Sequence, residues 1–219
     1  MCKICSNNTK NIVIDGIEYE FCFNCGFLSK TENFILSPSC EYNRYLMHNN
    51  SNNDDYVKYQ EKFYMQIKDF LGENVLDFGC GDNHILSDIL IKNGIKSSYY
   101  DLYFYPDENY KKHLYNAIIL EEVIEHLKDP KEVLSSLILL LNSKGKLIIR
   151  TQFIPKDVFN KKWWYLRDTT HISFFDLKTF LYLSKLLSLQ IIYCNDKDLI
   201  IFEKAWLFVI TYCKKWWNY

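Results

Sequence analysis

Four cysteines near the start of the chain stand in two pairs, Cys2-x-x-Cys5 and Cys22-x-x-Cys25, with sixteen residues between the pairs. Reduced cysteines in that arrangement suit tetrahedral ligation of Zn²⁺ by four thiolates. Such a closed set leaves no position for water, so the expected role is structural. Asp15, Glu18 and Glu20 lie between the pairs and do not make the basic face a nucleic-acid reader needs. A second group sits in VLDFGCGDNHIL, Val75 to Leu86, where an apolar strand runs into Asp77 and then into Gly79-Cys80-Gly81. A glycine turn after a strand brings a ligand close to the backbone. A dinucleotide site requires a small residue at the sixth position of the turn, and His84 stands there instead. Asp77 is a poor neighbour for pyrophosphate and a good one for a cation. S-adenosylmethionine carries a sulfonium and an ammonium, and its one carboxylate suits the N–H groups of a helix start. Asp101 closes the next strand, where a carboxylate can accept from both ribose hydroxyls. Asn83 occupies a place where glycine is expected, and Asn tolerates the left-handed backbone predicted there.

A third group is acidic, imidazole-bearing and aromatic. Glu122 and His126 fall i, i+4 on a helix predicted to leave the strand AIIL, which would point both at one cleft. The plainer reading is an acid at a helix N-terminus and a packed histidine. In WWYLRDTTHISFF, Trp163 to Phe175, His171 has the proton affinity of a general base, with Asp168 three residues earlier to orient it. Trp163, Trp164 and Tyr165 can wall an acceptor pocket, and Arg167 can hold an anion. An aromatic lid packed on the core explains the same residues without chemistry.

Positioning these groups calls for an α/β frame. IVIDGIEYEF alternates like a hairpin between the cysteine pairs, so residues 1–36 read as a small separate zinc-ribbon-like unit. Residues 37–70 are polar and then helical, a linker. From residue 71 to 204 strands (NVLDF, KSSYYD, NAIIL, GKLIIRT, QIIYC, LIIFEK) alternate with helices such as HILSDILIKNG and DLKTFLYLSKLLS. EEVIEHLKDPKEVLSSLILLLN reads as helix broken at Pro130. The class is α/β, a Rossmann-like doubly wound and mostly parallel sheet. Between Asp101 and Asn116 there is no room for a helix and another strand, so the third strand is predicted absent or vestigial. The tail AWLFVITYCKKWWNY, 205–219, reads as an amphipathic helix that docks or dimerises.

VLDFGCGDN, YYD, AIILEEVIEHLKDP and SKGKLIIRT resemble the successive motifs of class I S-adenosylmethionine-dependent methyltransferases, over roughly residues 71–204. Arg44-Tyr45, His48-Asn49-Asn50, Asp101-Leu102-Tyr103 and Trp163 to Phe175 resemble bacterial methyltransferases headed by a zinc-ribbon-like unit. The resemblance implies cofactor contacts at Asp77, Gly79, Cys80, Gly81, Asn83, Asp101, Leu102 and Glu121. It implies acceptor contacts at Trp163, Tyr165, Arg167 and His48, and it brings Glu122, His126 and His171 to the catalytic cleft. An adenine pocket would then come from the YFYPDENY loop and the start of the EEVIEH segment.

Composition narrows the class of partner. Formal net charge is −1, from 26 basic and 27 acidic residues, which gives no electrostatic footprint for duplex nucleic acid. No apolar leader opens the chain, and the longest apolar run, AWLFVI, is too short to span a bilayer. Eight cysteines without an export signal point to reduced thiols in the cytoplasm, and Cys40, Cys80, Cys194 and Cys213 read as packing residues. The expected function is methyl transfer to a small-molecule or glycan-type acceptor, with a homodimer possible. The rival readings are an RNA- or protein-directed methyltransferase that holds its target on the zinc unit, and a cofactor binder without catalysis.

Overall fold

The structure, a computed structural model, describes residues 1–47, 54–156, 158 and 163–205. The amino-terminal hairpin pairs β1 (Lys10–Ile14) with β2 (Ile17–Phe21), Ile14 facing Ile17. Asp15 and Gly16 turn it with φ of 50° and 81°, the positive pair that a two-residue hairpin turn demands. Each cysteine pair lies in the same kind of knuckle. Cys2 N–H donates to Asn7 O and Ser6 N–H to Cys2 O, while Cys22 N–H donates to Phe27 O and Gly26 N–H to Cys22 O. Next come β3 (Leu28–Lys30), α1 (Pro38–Leu46) and α2 (Asp54–Ile67). The alternating region then supplies β4 (Asn74–Phe78), α3 (Ile85–Lys92), β5 (Lys96–Tyr100), β6 (Tyr115–Glu121), α4 (Pro130–Leu139) and β7 (Leu141–Arg150). It closes with β8 (Ser173–Phe174), α5 (Leu177–Leu186), β9 (Leu189–Cys194) and β10 (Leu199–Lys204).

The main sheet has six strands in the order β5-β4-β6-β7-β10-β9. β5, β4, β6 and β7 run parallel, and β10 is antiparallel to both its neighbours. Val75, Leu76, Ile118, Ile119 and Leu120 are fully buried, because helices cover both faces and a central parallel strand has no solvent side. The expected mostly parallel α/β fold is observed, and β5 is the edge strand where a third strand is lacking. Residues 101–113 cover that edge with turns and one short 3₁₀ segment, Glu108–Lys112.

Two expectations about organisation change. The amino-terminal unit is not separate: β3 pairs with β8, Leu28 facing Phe174, in a four-stranded sheet β1-β2-β3-β8. Cys2, Ile4, Cys22, Cys25 and Phe27 share a core with Leu134, Phe175 and Phe180 of the main domain. Apolar surface on so small a unit is best removed from water against a larger neighbour. The helix expected through Glu121 and His126 also gives way. Glu121 ends β6, Glu122 turns the chain at φ 51°, and only a single 3₁₀ turn, Ile124–His126, precedes α4. Asp129-Pro130 restarts the helix with proline in its first turn, where its missing N–H costs nothing. The C-terminal tail from residue 206 lies outside the described residues. Among the described residues no helix is long and apolar enough to cross a membrane.

Candidate methyl-donor site and an adjoining acid–imidazole cluster

The β4 strand delivers Asp77 to the carboxyl edge of the sheet, where it is buried. Ser87 of α3 donates to its Oδ2 at 3.1 Å, and Ser97 donates to Ser87 at 3.0 Å. Burial nevertheless pushes the Asp77 carboxyl up to about 7, against the pull of that hydrogen bond. Gly79 at φ 85° turns the chain, and both Gly79 and Cys80 N–H groups donate to Tyr100 O at the end of β5. A side chain at Gly79 would meet Val123 Cγ2 at 2.4 Å, whereas nothing lies within 4 Å of the corresponding position at Gly81. The first glycine serves close packing, and the second leaves open space above the backbone.

Asp101 does more than wait for a ligand. Its Oδ2 accepts from Gly81 N–H at 3.2 Å, and Oδ1 accepts from Tyr103 and Phe104 N–H at 2.9 and 3.1 Å. It thereby ties the glycine turn to the loop after β5. Leu102, next to it, is exposed. Asn83 is not the left-handed residue expected. His84 takes φ 38° at the helix start, since one residue must reverse the chain into α3 and the strain falls one place later. The Asn83 Nδ2 is buried with no hydrogen-bond partner.

Glu121 closes β6 beside Asp77. A small cavity of about 30 Å³ is lined by Tyr56, Gln60, Asp77, Gly79, Cys80, Ile85, Leu86 and Glu121. Burial pushes Glu121 up to about 8, opposed by Arg150, whose Nη1 lies 3.3 Å from its Oε1. Arg150 is held between that carboxylate and the rings of Tyr59 and Phe63, at 4.6 and 4.9 Å. Gln60 Oε1 is buried in this wall without a donor. Two carboxyls and an unanswered carbonyl oxygen make this lining rich in hydrogen-bond acceptors, a chemistry that suits the cationic end of S-adenosylmethionine. Tyr56, Gln60 and Arg150 carry no motif in the sequence, where α2 has the pattern of a linker helix; the polar Gln60 amid the aromatic stripe of YVKYQEKFYMQI is their one local signal.

Beyond Glu121 the chain enters the cluster. Glu122 Oε2 accepts from Tyr165 OH at 2.9 Å, and the same hydroxyl contacts Glu125 Oε1 and, at 3.1 Å, Thr151 Oγ1. Burial holds both carboxyls above their ordinary range, Glu125 further by its neighbour Glu122. His126 is held down to about 4 by burial first and by His171 second. The two imidazoles meet edge to face with centroids 4.9 Å apart. The His171 Nδ1 lies 2.9 Å from Tyr165 O, not on Asp168, whose carboxylate accepts from Thr170 N–H and Oγ1–H. Asp168 faces Arg44 at 3.9 Å. Glu122 and His126 thus join one cluster through a loop rather than one face of a helix, Glu122 on the Tyr165 hydroxyl and His126 against His171, whose ring packs on Tyr165; Glu125, unremarked in the sequence, belongs to the same cluster.

The expected acceptor wall divides. Tyr165 is buried, Trp163 is half-buried against Tyr165 and Phe174, and Trp164 and Arg167 are exposed. His48 lies outside the described residues. Cys2, Cys5, Cys22 and Cys25 converge with all four Sγ atoms within 4.8 Å of one another. Cys2–Cys25 and Cys5–Cys22 are 3.5 and 3.4 Å apart, near the ~3.8 Å between thiolates at tetrahedral Zn–S distances. The quartet fits zinc. Of the cysteines expected to pack, Cys80 and Cys194 are part-buried, Cys40 is exposed on α1 because its neighbours there face solvent, and Cys213 lies outside the described residues.

Comparison with known proteins agrees with this geometry. No curated protein matches the sequence. Among solved structures, a S-adenosylmethionine-dependent methyltransferase from Archaeoglobus fulgidus is 16% identical, with a TM-score of 0.53 over 74% of this chain and 99% of that one. The mitomycin 7-O-methyltransferase is 10% identical with a TM-score of 0.51, and an O-methyltransferase family protein from Burkholderia thailandensis is 11% identical with 0.50. This chain spans 60% and 62% of the length of those two, and 75% and 74% of its own residues are covered. At such identities the likeness is one of fold. The methyltransferase domain family matches residues 53–187, more than half of the sequence and including α2. The chain therefore belongs to the S-adenosylmethionine-dependent methyltransferase family.

Proposed function

We propose that the protein methylates a hydroxyl of a small-molecule or glycan-type acceptor. The observation that carries this reading is the adjacency of two unlike sites through one peptide bond. Glu121 lines an acceptor-rich pocket for a cation, and Glu122 enters a buried cluster able to take a proton. S-adenosylmethionine supplies an activated methyl group when bound. Asp77, Glu121 and Gln60 would hold its ammonium end, Asp101 the ribose, and Leu102 and the loop after β5 the adenine. Gly81 leaves the backbone open to approach, with Cys80 and Asn83 beside it. On the acceptor side, Tyr165 and Trp163 bound the cleft, and His171 takes the hydroxyl proton as the imidazole base, with Glu122 and His126 in the same cluster. Two similar folds carry O-methyltransferase names, which favours oxygen as the atom methylated. The cysteine quartet holds a structural zinc that joins the hairpin to the main core.

Methyl-labelled cofactor incubated with the protein and a cell extract tests the acceptor class. Label is expected in a small or glycan-bearing product, and label confined to RNA or protein would overturn it. His171→Ala should leave cofactor affinity unchanged and lower turnover by ~10²–10⁴-fold, as for a lost general base.

A further inference from the structure

The Glu125, His126 and His171 side chains each bring one ligand atom to a common point, all within 4.8 Å of one another. We propose that they form a second metal site, for a divalent transition ion bound by two imidazoles and one carboxylate. Several independent features of the cluster agree. The His126 Nδ1 lies 3.1 Å from Thr170 O and the His171 Nδ1 2.9 Å from Tyr165 O. Metal-binding histidines commonly donate one ring N–H to a backbone carbonyl, which fixes the tautomer and aims the other nitrogen at the ion. Here both rings have that support at Nδ1. Glu125 is fully buried, and its Oε2 has no hydrogen-bond partner.

The charge pattern points the same way. Glu122 and Glu125 share one phenolic hydroxyl, that of Tyr165, and a single proton cannot satisfy two carboxylates. Among the described residues no lysine or arginine forms an ion pair with either. Two buried carboxyls with no ion-paired cation make a setting that a divalent cation suits. Two histidines with one carboxylate form the donor set of facial sites in which further positions stay open to water or a substrate oxygen. His126 is only half-buried, so the cluster is not sealed from a ligand. The site deepens the acceptor side of the function proposed above: where the ion is bound, His171 is its ligand and Glu122, outside the ligand set, takes the acceptor's proton. The ion's open positions would take an acceptor oxygen.

Metal content of the purified full chain reads this without any methyl transfer, so its failure leaves the donor-pocket assignment intact. Cobalt separates the two kinds of site. Cobalt in the cysteine quartet gives intense thiolate charge-transfer absorption, and cobalt at the new site gives only weak ligand-field bands of an N/O set. Wild-type protein loaded with excess Co²⁺ should hold an ion of the second kind, and His126→Ala should lose that ion while keeping the thiolate bands. Glu125→Gln, nearly the same in shape, should weaken it with the fold unchanged by circular dichroism. If wild-type protein offered Co²⁺, Zn²⁺, Mn²⁺ and Fe²⁺ in turn binds none outside the cysteines, the proposal is wrong. An ion unaffected by both substitutions would overturn it equally.

Discussion

Asp77 carries opposite consequences for stability and for binding. Its folded-state pKa is raised, to about 7, by burial. The destabilisation this brings is therefore absent below the ordinary carboxylate range, grows as pH rises, and is complete above about 7. Asp77→Asn should raise the thermal midpoint of the ligand-free protein at neutral pH, by a stability on the order of a few kcal/mol, and should remove cofactor binding. A midpoint unchanged or lowered would contradict the burial argument. The same carboxyl predicts proton release. At about pH 6.5, where an α-amino group is still charged, a cationic cofactor should drive a proton off Asp77 or Glu121. Calorimetry in buffers of different ionisation enthalpy measures it, and the release should shrink in Asp77→Asn. Asp101 adds a structural burden to its expected ribose contact, because three backbone N–H groups donate to it. Asp101→Ala should cost about 1–3 kcal/mol of folding stability, seen in denaturant titration, besides weakening cofactor binding.

At the level of elements, the turn between β4 and α3 holds two glycines that should respond differently. A methyl group at Gly79 runs into Val123 and keeps an unfavourable φ, while at Gly81 only the backbone strain at φ 72° is added. Gly79→Ala should lower stability by several kcal/mol through overpacking and strain together. Gly81→Ala should cost about 1–2 kcal/mol and act mainly on cofactor affinity. Equal destabilisation by the two, measured by chemical denaturation, would refute the assignment of packing to one and access to the other. Val123 belongs to the same loop in which Glu122 sits at positive φ. A non-glycine residue held there costs of order 1–3 kcal/mol, and the strained turn is what brings Glu122 to Tyr165.

Across the whole molecule, the cysteine quartet is tied to α5 as well as to its own hairpin. Thr179 of the α5 capping box donates through Oγ1 to Cys25 O at 2.9 Å, and a side chain at Gly26 would strike the Asp176 carboxylate at 2.4 Å. The cysteine quartet and the main domain are therefore mechanically continuous. Cys22→Ser should remove the proposed zinc and lower the melting temperature of the entire chain in one transition, rather than melting a separate ribbon first. Metal analysis with calorimetry checks both parts; two resolved transitions in the wild type would speak against a shared core.

By itself the sequence determined the period and order of the strands, the hairpin at Asp15-Gly16, the Cys₄ spacing, and the acid–glycine turn before α3. Each of these is local chemistry: β-branched runs, a turn that needs positive φ, ligands that must sit with two residues between them. The lack of a third strand was also legible, since fifteen residues from Asp101 to Tyr115 cannot hold a crossover helix and a strand. Only the tertiary structure decided that α2 supplies Gln60 to the donor pocket, that β8 completes the amino-terminal sheet, and that Glu125 joins His126 and His171. Leu28 is 146 residues from Phe174, Gln60 is 61 from Glu121 and Glu125 is 46 from His171 in the chain numbering, and no local pattern marks them. Helical periodicity even misplaced Glu122, because a buried turn at positive φ has no propensity signature when the residue is not glycine. Burial and long-range hydrogen bonding chose that turn, and they chose the site with it.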